Sequence, residues 1–313
     1  MKQNRREFIR SVTGAGALLG LGFLNSSFDA DDKKHVKIVI LHTNDVHSHI
    51  DPFPDNDPKY PGLGGVERRA ALINEIRAKE KNVLLLDAGD IFQGTPYFNM
   101  YGGELEMKLM SAMKYDASAI GNHDFDGGLE NFAKQMKHAD FPLLCANYDF
   151  TGTPMEGKTL PYSIFEKEGV RIGVFGLGIE LAGLVDSRLY GKTQYLDPII
   201  KAAEMTHTLR NEKKCDIVVC LSHLGYKYEN DKLSDLILAK KSSGIDVIIG
   251  GHTHTFLDKP ILLKNRDEKD VYVTQVGWAG IRLGKITIYT NKKTRKKTLE
   301  GNTVAVSKKS SDS

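Results

Sequence analysis

An α/β domain with a mixed-sheet core is the fold class this sequence predicts, on three observations. Short apolar runs alternate with longer amphipathic ones along most of the chain. Several of the short runs are nearly continuous in Val, Ile and Leu, as strands covered on both faces are. The end of the chain turns β-rich. Taken in order, residues 36–41, 83–86, 117–120, 143–146, 171–175, 217–221 and 247–249 read as strands. Between them, 66–79, 104–114, 129–137, 199–212 and 233–240 carry the helical period. Glu67 and the pair Arg68-Arg69 read as the wet face of the first helix. Residues 261–264, 271–276, 285–290 and 298–306 form the β-rich finish, the last two joined as a hairpin by the turn at 291–297. No internal repeat or long linker interrupts this pattern.

With 313 residues the chain can bury a sizeable core, and 41% hydrophobic and 27% charged residues are ordinary for a soluble globular domain. The net charge is +3, but residues 1–30 hold Lys2, Arg5, Arg6 and Arg10 against Glu7 and Asp29. Without that segment the charge drops by two, to +1. Nucleic acid is therefore not an expected partner, and the basic run Lys292–Lys297 reads as a solvated turn.

The opening residues pair Arg5-Arg6 with an apolar, glycine-diluted stretch from Val12 to Leu24. That stretch is shorter than the roughly 20 apolar residues a membrane span takes. Its proportions are those of an export signal over 1–30, and the paired arginines resemble a twin-arginine signal. No clean A-x-A cleavage site follows, since Phe28 stands two residues before Ala30. Retained, the segment would act as a membrane anchor; cleaved, it would release the protein to the periplasm or cell envelope. The expected layout is signal 1–30, catalytic domain 31–306 and polar tail 307–313. Cys145, Cys215 and Cys220 make no disulfide framework: the last two bracket a strand, which places them on opposite faces and beyond bonding distance.

The chemistry gathers just past the carboxyl ends of the expected strands, where ligands bind in open α/β sheets. Asp45 and His47 follow the first strand and Asp87 and Asp90 the second. Asn122 and His123 follow the third, His223 the run 217–221, and His252 and His254 the run 247–249. Each motif alone is weak. A lone Asp-x-His is commonly a surface turn, although an extended chain would point both side chains the same way. In Gly250-Gly251-His252-Thr253-His254 the glycines let backbone approach a site closely. Five such motifs in one chain are a different matter. His35, His138 and His207 lie outside them and read as surface residues, while His42 and His49 flank the first.

In this order Asp-x-His, Gly-Asp, Gly-Asn-His-Asp, Ser-His-Leu-Gly and Gly-Gly-His-x-His resemble the calcineurin-like metallophosphatases, in their 5′-nucleotidase branch, over roughly residues 36–306. The resemblance implies a four-layer αββα sandwich with mixed central sheets. It also implies that Asp45, His47, Asp90 and His254 hold one metal ion and Asp90, Asn122, His223 and His252 the other. The bridging carboxylate of the family follows Gly, which selects Asp90 over Asp87. Mixed N/O ligands suit Zn²⁺, Mn²⁺ or Fe. Two divalent ions against two carboxylates leave about +2, suited to a phosphate dianion.

The expected reaction is in-line hydrolysis of a phosphate monoester, a nucleotide foremost, by a hydroxide held between the ions. Asn122 and His123 would bind substrate. His123 would stabilise phosphoryl charge or protonate the leaving oxygen. Asp126, by resemblance, would orient His123, with Asp124 as the fallback. Typical 5′-nucleotidases of this branch add a C-terminal domain of about 200 residues that stacks the base. Here the expectation is that a separate protein of that type supplies it, the alternative being a substrate recognised mainly through its phosphate. Rival readings keep the site but change the ester (cyclic nucleotide, sugar phosphate, sulfur ester), or make the chain a non-enzymatic metal-binding subunit. The mark of the latter would be a substituted ligand, and none of the seven is missing.

Overall fold

Alternate residues of the same strands belong to different apolar clusters, and that alternation sets the layers. In the computed structural model, which describes residues 35–308, the chain opens with β1 (His35–Thr43), α1 (Val66–Lys79) and β2 (Val83–Asp87). It continues through α2 (Pro96–Tyr101), α3 (Glu104–Ala112), β3 (Ala117–Ala119), α4 (Gly128–Gln135) and β4 (Leu143–Leu144). Then come β5 (Tyr148–Asp149), β6 (Tyr162–Lys167), β7 (Val170–Leu177), α5 (Ser187–Tyr190), β8 (Gln194–Tyr195), α6 (Pro198–His207) and β9 (Ile217–Ser222). The finish is α7 (Asp235–Lys241), β10 (Val247–Gly250), β11 (Ile261–Lys264), β12 (Asp270–Thr274), β13 (Arg282–Asn291) and β14 (Lys297–Ala305). The expected signal at 1–30 and the last five residues of the tail lie outside the described residues.

Two six-stranded sheets result, ordered β14-β13-β1-β2-β3-β4 and β11-β12-β10-β9-β7-β6, beside the small β5–β8 pair. Both are mixed. In the first, β1 to β4 run parallel and β13–β14 is antiparallel. In the second, β7, β9, β10 and β12 run parallel between antiparallel edges β6 and β11. Val36, Ile38 and Ile40 of β1 join Val170, Ile172 and Val174 of β7, in the facing sheet, in one cluster between the sheets. Val39 and Leu41 instead join Ile73 of α1, Met107 of α3 and Phe132 of α4 on the outer face. The second sheet's outer residues Phe175, Val218 and Ile248 join Ala202 of α6 and Leu238 of α7. Helix, sheet, sheet, helix is the expected four-layer sandwich. Among the described residues no helix is long and apolar enough to cross a membrane.

Several local expectations are corrected. The strand expected over 143–146 shrinks to β4, because Cys145 N–H leaves the ladder and bonds the Leu160 carbonyl (2.8 Å) in an isolated bridge. The helix expected over 199–212 is α6, capped by Asp197 on Ile199 N–H (2.7 Å), followed by a π turn at Thr208–Glu212. Strands β5, β6 and β8 and helices α2 and α5 have no counterpart in the sequence reading. Arg69 is no wet residue: it shares the buried face of α1 with Ile73. Lys297 is not a solvated turn residue either, because its ammonium folds back onto Asp246 (2.5 Å). His138 is half-buried rather than on the surface. The three cysteines are free and buried, as expected, but Cys215 precedes β9 and packs in the same outer cluster as Cys220.

Candidate metal centre

Every expected ligand lies at the carboxyl ends of β1, β2, β3, β9 and β10, and the chain turns sharply there. Asp45, His47, Asp90, His252 and His254 all hold positive φ, at 50°, 51°, 57°, 71° and 50°. The Asp-x-His pair is thus not extended, as the spacing implies; both residues reach the site through left-handed turns. Such a conformation costs non-glycine residues about 1–3 kcal/mol each and persists only where the surroundings over-determine it. Here they do. Asp45 N–H bonds the Gly89 carbonyl (2.9 Å), His47 N–H the Asp90 carbonyl (3.0 Å), and His252 N–H the Asp45 carboxylate (2.9 Å). Glycine is required at 121 because a Cβ there would sit 2.1 Å from Asp90 Oδ1.

Asp45, His47 and His254 present ligand atoms all within 4.8 Å of one another, and so do Asp90, His223 and His252. Asp90 stands between the groups: its Oδ2 is 3.0 Å from His223 Nε2 and 3.7 Å from His47 Nε2. Asn122 Oδ1 lies 2.8 Å from His252 Nδ1, which adds it to the second group.

The donor set fits cations. His223 Nδ1 donates to the Ala88 carbonyl (2.7 Å), so in the neutral ring Nε2 carries the lone pair. That Nε2 is buried without a hydrogen-bond partner, although a carboxylate oxygen faces it. His47 Nδ1 likewise donates to the Phe92 carbonyl (3.2 Å), leaving its Nε2 3.0 Å from His254 Nε2. With these rings neutral, His223 Nε2 meets a carboxylate oxygen and His47 Nε2 another ring nitrogen; a proton fills such a gap in the ion-free protein and a cation in the loaded one. The titration behaviour shows where that proton goes. Burial would lower the His223 pKa, but Asp90 and Asp45 push it up; burial would raise Asp90, but His223 holds it below the usual carboxylate range. His252 is lowered to about 4, by burial and then by His223, and so is a neutral ligand near pH 7.

His123 stands at the rim, its ring 5.2 Å from that of His47. Its Nδ1 donates to Asp126 Oδ2 (2.7 Å), and that bond is the main reason its pKa is raised. Asp124 is not the fallback partner. Its buried carboxylate accepts from the backbone N–H groups of Gly121, Ile91, Phe92 and Asp90, and so clamps two ligand-bearing loops together. Asp87 is also structural, held by Thr43 Oγ1 (2.5 Å), Gly89 N–H and Ser118 Oγ.

Sequence reasoning missed three supports. Asn44 accepts from Val276 N–H (2.9 Å) and donates to the Gly277 carbonyl (2.6 Å). Gln275 donates to the Gly251 carbonyl (2.6 Å), and Ser222 Oγ donates to buried Asp235 (2.5 Å). Each is a polar residue inside or just after an apolar strand run, which was the available signal. His42 is buried and neutral, its pKa lowered by burial to about 3, and packs on Gly284 rather than on the centre.

A four-layer sandwich with paired Asp/His clusters at its strand ends defines a metal-dependent phosphoesterase type of site. Residues 38–256 match the calcineurin-like phosphoesterase family, and the chain belongs to it. It is similar to the snake venom 5′-nucleotidase of Crotalus adamanteus, 32% identical over 298 residues, covering 87% of this chain and 48% of that one. It is 33% identical to human 5′-nucleotidase over 273 residues, covering 80% of this chain and 46% of that one. The solved 5′-nucleotidase precursor of Thermus thermophilus superposes with a TM-score of 0.79 at 33% identity, covering 87% of this chain and 55% of that one. The chain spans about half the length of the curated relatives it matches. Family and geometry together support a pair of divalent ions.

Proposed function

We propose that this protein hydrolyses phosphate monoesters, 5′-nucleotides foremost, at a two-ion centre. The observation that carries the reading is Asp90 standing between two three-residue clusters. In the proposal Asp45, His47, Asp90 and His254 hold one ion, and Asp90, Asn122, His223 and His252 the other. When bound, the ions supply Lewis acidity and lower the pKa of the attacking water. The chain's own residues do the rest. The carbonyls of Phe92 and Ala88 fix the tautomers of His47 and His223. Asn122 and His123 receive the phosphoryl group. His123, whose protonated form Asp126 favours, neutralises its growing charge and gives a proton to the leaving oxygen as the P–O bond breaks.

The likeness to proteins named 5′-nucleotidases supports nucleotides, ahead of sugar phosphates, cyclic nucleotides and sulfur esters, as the substrate of this chain. We further read 31–306 as the catalytic domain and the Arg5-Arg6 opening as an export signal directing it to the periplasm or envelope. The test is a panel of mononucleotides, cyclic nucleotides and sugar phosphates on apo-protein reloaded with Mn²⁺, Zn²⁺ or Fe²⁺. Metal-dependent release of phosphate, greatest from 5′-mononucleotides, is expected. Activity that survives metal removal would overturn the reading.

A further inference from the structure

Trp278, the single tryptophan of the chain, lies between β12 and β13 and belongs to none of the three apolar clusters. Its backbone cannot drift. On one side Gly277 O accepts from Asn44 Nδ2 (2.6 Å), and on the other Ala279 N–H bonds the Asp45 carbonyl (2.8 Å). Its indole lies parallel to the His254 imidazole, centroids 5.6 Å apart and planes within 3°. His49, Phe53 and Tyr60 present their rings to it at 86°, 71° and 70°, with centroids 5.1 to 6.1 Å away. Trp278 Nε1–H also donates to Tyr60 Oη (3.4 Å). The indole is therefore held by the 49–60 loop and pressed on a candidate ligand.

That ligand needs holding. His47 and His223 are each oriented by a carbonyl on Nδ1, and His252 has Asn122 beside its Nδ1. Among the described residues no group hydrogen-bonds His254 Nδ1, and its side chain is 39% exposed. Its Nε2 nonetheless stays 3.4 Å from Asp45 Oδ1 and 3.0 Å from His47 Nε2. Stacking is the one oriented contact on the ring that does not come from the cluster itself.

We infer that Trp278 is a positioning residue for His254, doing by ring contact what a backbone carbonyl does for His47 and His223. It thereby sets the affinity of one of the two ion sites separately from the other. This rests on the reading that the clusters bind ions. The 49–60 loop then acts as the backing of that one site, and a ligand that lifts the loop would loosen the ion held by Asp45, His47 and His254.

The experiment is calorimetric titration of Mn²⁺ into the apo-protein and its variants, with thermal melts alongside. Wild type takes up two ions. In Trp278→Ala one of the two affinities falls about tenfold, the scale seen when a ligand loses its orienting partner, and the other stays. Trp278→Phe, which keeps a ring, restores most of the loss. A second readout is the indole itself: its fluorescence is quenched as paramagnetic Mn²⁺ fills the adjacent cluster. In His254→Ala the quench shifts to higher Mn²⁺ concentration while the other ion still binds. Two unchanged affinities in Trp278→Ala would overturn the inference and leave the two-ion reading standing. Equal loss of both ions with a lowered melting temperature would also overturn it, as a general structural role. A wild type that binds fewer than two ions would instead remove the reading beneath it.

Discussion

The two ends of β9 and β10 treat charge in opposite ways. At their amino ends, Asp246 accepts from Lys297 Nζ (2.5 Å), Val218 N–H (2.8 Å) and the Arg210 guanidinium. Asp216 accepts from Arg171 N–H (2.9 Å) and pairs with Arg295. Arg210 spends its remaining N–H groups on the carbonyls of Gly244, Cys215 and Asp216. Each of these charges meets its opposite. At the carboxyl ends, where those of β1 and β2 join them, His223 Nε2 faces a carboxylate and His47 Nε2 another imidazole, and five residues of the loops that follow hold left-handed backbone. One end is complete as folded, and the other is completed by something bound. Buried charge by itself marks neither function nor stability; whether the protein supplies its counter-charge is what separates the two.

The comparison breaks most visibly at Asp90. In Asp90→Asn the account expects turnover of an aryl phosphate to fall about 10³-fold or more, since positioning of both ions is lost. His123→Ala, at matched metal content, should cost about 10²–10³-fold in kcat, and unchanged turnover would remove His123 from the mechanism. Asp126→Asn is subtler. The Asp126 bond raises the His123 pKa, so the protonated form, and the activity that needs it, persists below that pKa and is lost as pH rises through it. Removing the carboxylate should move the alkaline limb of the kcat profile to lower pH, and a profile that stays put would contradict the assignment. At the amino ends the expected effect is of another kind. Arg210→Ala should lower stability by about 2 kcal/mol, read by denaturant unfolding, with metal content and kcat unchanged.

The layer plan was legible because the inner strands are apolar on both faces: the alternation of Ile38 and Ile40 against Val39 and Leu41 serves two clusters at once. Edge strand β6 is hard to see because Tyr162–Lys167 is only half-buried and carries no such run. That these side chains would gather in one place was legible from their position after the strands, in five motifs of one chain, while the choice of Asp90 over Asp87 came from the resemblance alone. The means of convergence was not. Asp and His tolerate positive φ without being marked by it, so the turns at Asp45, His47 and His252 could not be read from residue type. Arg69 and Lys297 mislead for a related reason: charge suggests exposure, whereas Arg69 recurs four residues before Ile73 on a buried face and Lys297 reaches a carboxylate 51 residues away in sequence. The distinct roles of Asp124, a loop clamp, and Asp126, the partner of His123, lie in contacts that two acids so close in sequence do not reveal.

The central claim is met most directly by anomalous diffraction from crystals of the Mn²⁺-loaded protein. Two peaks about 3.5–4 Å apart are predicted, one bounded by Asp45, His47 and His254 and one by Asn122, His223 and His252, with Asp90 reaching both. A single peak, or peaks away from these strand ends, would contradict the account.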